Sequence, residues 1–117
     1  MKRFAAHRVL TSRNDRERKL WVVTLEGTRV LSLAPFTEEV PFTEWIGGWI
    51  LVTPTTAAPL TFPCPLATFL QAVLPDASSW NEKGEALSNT PQVAWYISPE
   101  EVAQSLVTRP RLLPALL

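Results

Sequence analysis

Apolar and polar positions alternate through the first part of the chain and change period after its middle. Phe4 to Leu10 reads as a first strand, and Leu20 to Leu25 (LWVVTL), dense in β-branched and aromatic residues, reads as a second. Glu26-Gly27-Thr28 supplies a tight turn, after which Arg29 to Leu33 (RVLSL) returns with alternating side chains, the pattern of a β-hairpin. Thr11 to Lys19 has the composition of a loop between the first two strands. Pro-Phe-Thr-Glu occurs twice between Pro35 and Trp45, too short a unit for a solenoid, and this stretch reads as an extended connection. Trp45 to Val52 then forms a strand in which Gly47-Gly48 permits a bulge or a close approach of backbone. Its outer half, Trp49 to Val52, is expected to be buried on both faces.

Beyond Pro54 the period becomes helical. Leu66, Phe69, Leu70, Val73 and Leu74 recur at i, i+3, i+4, i+7 and i+8 between Pro65 and Pro75, which predicts one amphipathic helix stopped by Pro75. Asp76 to Thr90 is a polar loop, and Val93 to Ile97 a short strand. Ser98-Pro99-Glu100-Glu101 predicts a capping box, with the Ser98 hydroxyl accepting from the Glu101 N–H and the Glu101 carboxylate accepting from the Ser98 N–H. A helix from Pro99 to about Val107 should follow, with Val102, Ala103 and Leu106 facing inward. The tail Arg111 to Leu117 is apolar enough to dock onto the domain or onto a partner. The expected fold class is α+β: a small, mainly antiparallel β-sheet or β-sandwich-like unit with two short helices. It forms one domain over residues 1–117, β-rich as far as residue 54, followed by helix, loop, short strand, helix and tail.

Composition narrows the function classes mainly by exclusion. A chain of 117 residues can bury a core without disulfides or metal, yet is too short for a (β/α)8 barrel of about 250 residues. Cys64 is the one cysteine, expected as a buried free thiol and compatible with a reducing compartment. His7 and Arg8 interrupt the apolar run that an export signal would need. No apolar stretch approaches the roughly 18 residues that span a bilayer. The expectation is a cytoplasmic protein without membrane contact. Charge is balanced overall but divided, with seven Lys or Arg up to Lys19 against Asp15 and Glu17, and four bases against nine acids thereafter. The basic residues form no stripe backed by aromatics, which favours a solvated loop from Arg13 to Lys19 over a nucleic-acid site.

The order strand, hairpin, connection, Gly-Gly and apolar strand ending at Thr53-Pro54 resembles the N-terminal composite β-domain of metal-dependent amidohydrolases, over about the first half of this chain. In that family a polar residue leads through Gly-Gly to a few apolar residues and Pro-Gly, and the chain then enters a catalytic barrel with a His-x-His metal pair. Trp45-Ile46-Gly47-Gly48-Trp49-Ile50-Leu51-Val52-Thr53-Pro54 follows the first part. Thr55 then stands in place of Gly, and Thr56, Ala57, Ala58 and Pro59 in place of the ligands. Zinc hydrolysis needs about three protein ligands and an open position. The resemblance therefore carries a β-domain, and no catalytic or metal residue, onto this chain.

The remaining candidates for chemistry are few. Gly27, Gly47, Gly48 and Gly84 make no phosphate loop, and no cofactor is expected. His7 and Cys64 are the one possible His/Cys pair, more simply read as a partly buried strand histidine and a core thiol. Glu38-Glu39 and Glu100-Glu101 are adjacent carboxylates: neighbours on a strand point to opposite faces, and Glu101 is used in capping. Five tryptophans are many for this length; Trp21 and Trp49 read as core, and Trp45 or Trp80 as an exposed contact surface. The sequence thus points to a non-catalytic interaction or structural module that meets a protein partner, or itself, through Trp45, Trp80 or the tail. The alternative is a small-molecule binding protein or minor enzyme with a pocket between sheet and helix, walled by Trp and Tyr96 and anchored by Arg29 or Glu44.

Overall fold

The computed structural model describes residues 1–14, 18–37 and 42–114. Residues 15–17 of the basic loop, Glu38-Glu39 and the tail from residue 115 lie outside the described residues.

Three strands form an antiparallel meander: β1 (Lys2–Leu10), β2 (Arg18–Glu26) and β3 (Arg29–Pro35). Gly27-Thr28 closes the hairpin between β2 and β3, and Gly27 sits at φ +58, a left-handed conformation in which a side chain is strained. On the other side of β1 the chain returns twice in parallel, first as β4 (Thr43–Trp45) and then as β5 (Trp49–Thr53). Arg3 pairs with Thr43, but Arg8 pairs with Trp49, so one extra residue is accommodated where Gly47 and Gly48 separate the two strands. Both glycines have positive φ, and a Cβ on Gly48 would lie 2.1 Å from the carbonyl oxygen of Ile97. Glycine is required there by backbone contact.

The chain continues through β6 (Cys64–Pro65) into α1 (Leu66–Val73), then the long loop, β7 (Val93–Ile97), α2 (Pro99–Gln104), β8 (Leu106–Val107) and β9 (Arg111–Leu112). Among the described residues the main sheet runs β3-β2-β1-β5-β7-β9, with β4 beside β1, and β6 pairs separately with β8. This is an α+β fold with a mainly antiparallel sheet and two short helices.

Both faces of the sheet are covered, which is why β5 and β7 are almost continuously apolar. Ile50 and Val52 join Phe4, Val23, Leu25 and Tyr96 on one face, whereas Leu51 joins Trp95 and Ile97 on the other. The second cluster packs against Leu66, Phe69 and Val73 of α1 and Val107 of β8. Burial of a side chain such as Phe69 stabilises the fold by about 1.5–3 kcal/mol relative to leaving it in water. Trp49 is only half-buried, so the fully two-sided burial begins at Ile50.

Two expectations are corrected. Trp80 is not exposed: at 4% exposure it plugs the first cluster, held by the loop from Asp76 onward, in which Ser78 Oγ accepts from the Trp80 N–H at 3.0 Å. The second helix stops at Gln104 instead of near Val107, because Ser105 takes a left-handed conformation at φ 54 and the chain turns into β8. Strand pairing with β6 overrides helical propensity there, leaving Ala103 exposed and Val102 and Leu106 half-buried.

The capping box at the start of α2 forms as the sequence requires. Ser98 Oγ accepts from the Glu101 N–H at 3.2 Å, and Glu101 Oε1 accepts from the Ser98 N–H at 3.1 Å. Glu101 is itself buried, and its other oxygen accepts from the N–H groups of Thr108 at 2.9 Å and Arg109 at 3.3 Å. The Arg111 guanidinium completes the cage. One carboxylate thereby fastens the chain after β8 to the helix before it.

Candidate functional site

The parallel return of β4 and β5 along β1 assembles side chains that are far apart in sequence. Trp45, paired opposite Ala5, meets the side chain of His7 two residues further along β1. Their rings stand edge to face with centroids 4.9 Å apart and an interplanar angle of 80°, an arrangement aromatic rings favour. Trp45 remains 50% exposed and His7 is exposed rather than partly buried. Gly47 is what lets them meet the start of α2: a Cβ there would stand 3.3 Å from Pro99 and 3.6 Å from the His7 ring.

Beside this pair the Arg8 guanidinium lies 5.7 Å from the centre of the Trp49 ring, within cation–π range. His7, Arg8, Gly48, Trp49, Pro99 and Val102 enclose an open cleft of about 450 Å3. Trp49 also walls a second hollow of about 280 Å3, bounded by Leu10, Arg13, Leu70 and Leu74. The two hollows share Trp49, one bordering α2 and the other α1, and are together called the trough. Arg13 is fixed at its far end by an ion pair to Asp76 and by donating to the Gln71 carbonyl at 2.8 Å. Among the described residues, the ionisable side chains in the lining of the two hollows are His7, Arg8 and Arg13. The trough thus has an apolar floor with Arg8 and Arg13 at its rim, the charge of Arg13 offset by Asp76.

The other residues singled out from the sequence are dispersed. Cys64 is buried against α1 and β8, and desolvation pushes its thiol pKa up, away from the reactive thiolate. His7 stands at the cleft instead, among Trp45 and Gly47. Among the described residues no three His, Cys, Asp or Glu side chains come together as a metal would need. Tyr96 walls neither hollow: its ring is in the core of the other face, and its hydroxyl donates to the Ile46 carbonyl at 2.8 Å. Burial pushes the Tyr96 pKa up, with Glu101 adding to the rise and Arg111 opposing it. Arg29 borders a different cavity beside Trp80, and Glu44 is exposed on β4.

Sequence reading missed Arg8, Trp49, Pro99 and Val102 as members of a surface. The available signal was the polar pair His7-Arg8 in the middle of an otherwise apolar strand. No protein-family model, curated protein or solved structure matches this chain.

Proposed function

We propose that the protein is a non-catalytic interaction module whose trough, from Trp45 and His7 across Arg8 and Trp49, receives a segment of a protein partner that carries an acidic side chain beside an apolar anchor. The observation carrying this reading is a half-exposed tryptophan next to an apolar cleft whose lining includes the Arg8 guanidinium and, among the described residues, no carboxylate. Large aromatics and arginines in such settings dominate binding energy at protein interfaces. A partner with the opposite charge gains from both the cleft and the rim.

Selection of random peptides on the immobilised protein tests the proposal. Enriched sequences should place Asp or Glu next to an aliphatic or aromatic residue. A double variant, W45S with R8E, should keep the fold and lose at least tenfold in affinity for them, about 1.4 kcal/mol. Peptides that bind the variant as well as the parent would sink the idea. So would sedimentation showing a stable dimer that the double variant leaves intact.

A further inference from the structure

Trp45 and Trp49 come from the two strands that return along the same edge of β1, and the register fixes how far apart they stand. Trp45 pairs with Ala5 and Trp49 with Arg8, three residues further along β1. At the strand rise of about 3.3 Å per residue, the two positions are about 10 Å apart. The Trp45 ring adjoins the cleft through His7, and Trp49 lines it beside Arg8. Each ring also carries a hydrogen-bond donor that the fold does not use. Trp95 donates its indole N–H to the Thr55 carbonyl at 2.9 Å, but among the described residues nothing accepts from Trp45 or Trp49. Unlike the Trp80 nitrogen, the Trp49 nitrogen is not sealed from solvent, and Trp45 is half-exposed. A ligand approaching from solvent meets both rings.

The conformation of the occupant follows from that spacing and from those donors. Indole N–H donates only, so the occupant must offer acceptors at a repeat of about 10 Å. An α-helix matches the spacing only after seven residues, about 10.5 Å, and its carbonyls are already bonded within the helix. A β-strand returns to one face every two residues, about 7 Å, which is out of step with the two rings. A polyproline II segment advances about 9 Å per three-residue turn, and its carbonyls have no internal partner. Its residues i and i+3 therefore face the two tryptophans in turn, and prolyl rings pack on aromatic surfaces in grooves of this kind. Pro99 and Val102 of α2 add apolar surface to the cleft, and the Arg8 guanidinium beside Trp49 favours a carboxylate between the two prolines. On the reading of the trough as a contact surface, we propose that its occupant is a proline-rich segment of a partner protein in the polyproline II conformation. Trp45 and Trp49 donate to its carbonyls one turn apart, and Arg8 meets an acidic residue that lies between its prolines.

Titration of the intact chain with a capped octapeptide of seven prolines and one central glutamate, followed by tryptophan fluorescence and calorimetry, tests the assignment. The control peptide keeps the glutamate and has alanine for every proline. The proline peptide should bind about tenfold more tightly, because its conformation is set before binding. W45F and W49F, which keep a ring and remove its N–H, should each weaken binding about threefold, the scale of one hydrogen bond. Equal affinity for the two peptides, lost in the double variant W45S with R8E, would overturn the polyproline assignment and leave the contact surface standing. Binding of the proline peptide that neither W45F nor W49F alters would overturn the assignment as well. So would no binding of that peptide at about 1 mM, the limit of weak recognition, whatever a selection from random peptides returns. A chain that sediments as a dimer and dissociates in W45S would give the trough to a second copy and likewise reject the proposal. The comparison of the two peptides needs no variant, so it decides even if W49F fails to fold.

Discussion

Glu101 and Arg111 form an ion pair in which the carboxylate side chain is 5% exposed and the guanidinium side chain 18%. Arg111 also lies over the Tyr96 ring, 5.2 Å from its centre. The pair thus joins α2, β9 and the buried face of β7 at one point. Burial pushes the Glu101 pKa up, but hydrogen bonds from the Ser98, Thr108 and Arg109 N–H groups outweigh this and hold it below its ordinary value.

That direction fixes a pH dependence. A carboxylate whose pKa is lower in the folded than in the unfolded chain stabilises the fold fully above its unfolded value, about 4.5. The contribution is lost as pH falls through the lower folded value. E101Q, which keeps the shape but leaves Arg111 without its counter-charge, should cost about 3–5 kcal/mol at pH 7. The gap between parent and variant should narrow progressively below about pH 4.5. Urea unfolding at pH 7 and pH 3 checks this, and a gap that stays constant would show that the charge of Glu101 contributes nothing.

Two glycines with nearly the same backbone conformation should respond very differently to one methyl group. Gly27 at φ +58 has open space around its missing Cβ, whereas Gly48 at φ +60 faces the Ile97 carbonyl oxygen at 2.1 Å. G27A should cost only the left-handed penalty, about 1–2 kcal/mol, a fall of roughly 4–8 °C in melting temperature. G48A adds a backbone clash that can be relieved only by moving the chain at Gly48 away from the end of β7, and should lower the melting temperature at least twice as far or prevent folding. Equal melting temperatures for the two variants would mean that the separation of β4 from β5 is not built on this contact.

What the sequence disclosed was what short-range chemistry decides. The capping box at Ser98 and Glu101, the β2–β3 hairpin around Gly27 and the stripe of α1 each rest on residues within a few positions of one another, so pattern alone locates them. The end of α2 does not, because the pairing of Leu106 with Pro65 decides it across some forty positions. Trp80 illustrates the same limit: surrounded in sequence by polar loop residues, it is buried because the loop folds back onto the sheet. The trough was illegible for a related reason. Its members come from β1, β4, β5, α1 and α2, and only the parallel register of β5 on β1 sets Trp49 beside Arg8.

Cys64 should behave as a buried apolar residue. Nucleophilic reaction needs the thiolate, and desolvation raises the pKa of this thiol while α1 and β8 cover it. A neutral disulfide reagent at pH 8 should therefore label the native protein at a rate set by unfolding, and label it at once in concentrated denaturant. Rapid stoichiometric labelling of the native chain would show that the cover formed by α1 and β8 opens readily.

Trp45 presents the opposite case, an aromatic ring whose removal the fold should tolerate. Half of its surface is already in water, its principal contact is the exposed His7 ring, and β4 is held to β1 through backbone pairing that a substitution leaves in place. W45S should therefore change stability by no more than about 1 kcal/mol, the scale of one exposed aromatic pair. Acrylamide quenching should fall in the variant, because Trp80 and Trp95 are buried and Trp21 and Trp49 are only partly accessible. A loss of stability well beyond that scale would place Trp45 among the residues that hold β4 to the sheet, and would shift the contact surface onto Arg8 and Trp49 alone.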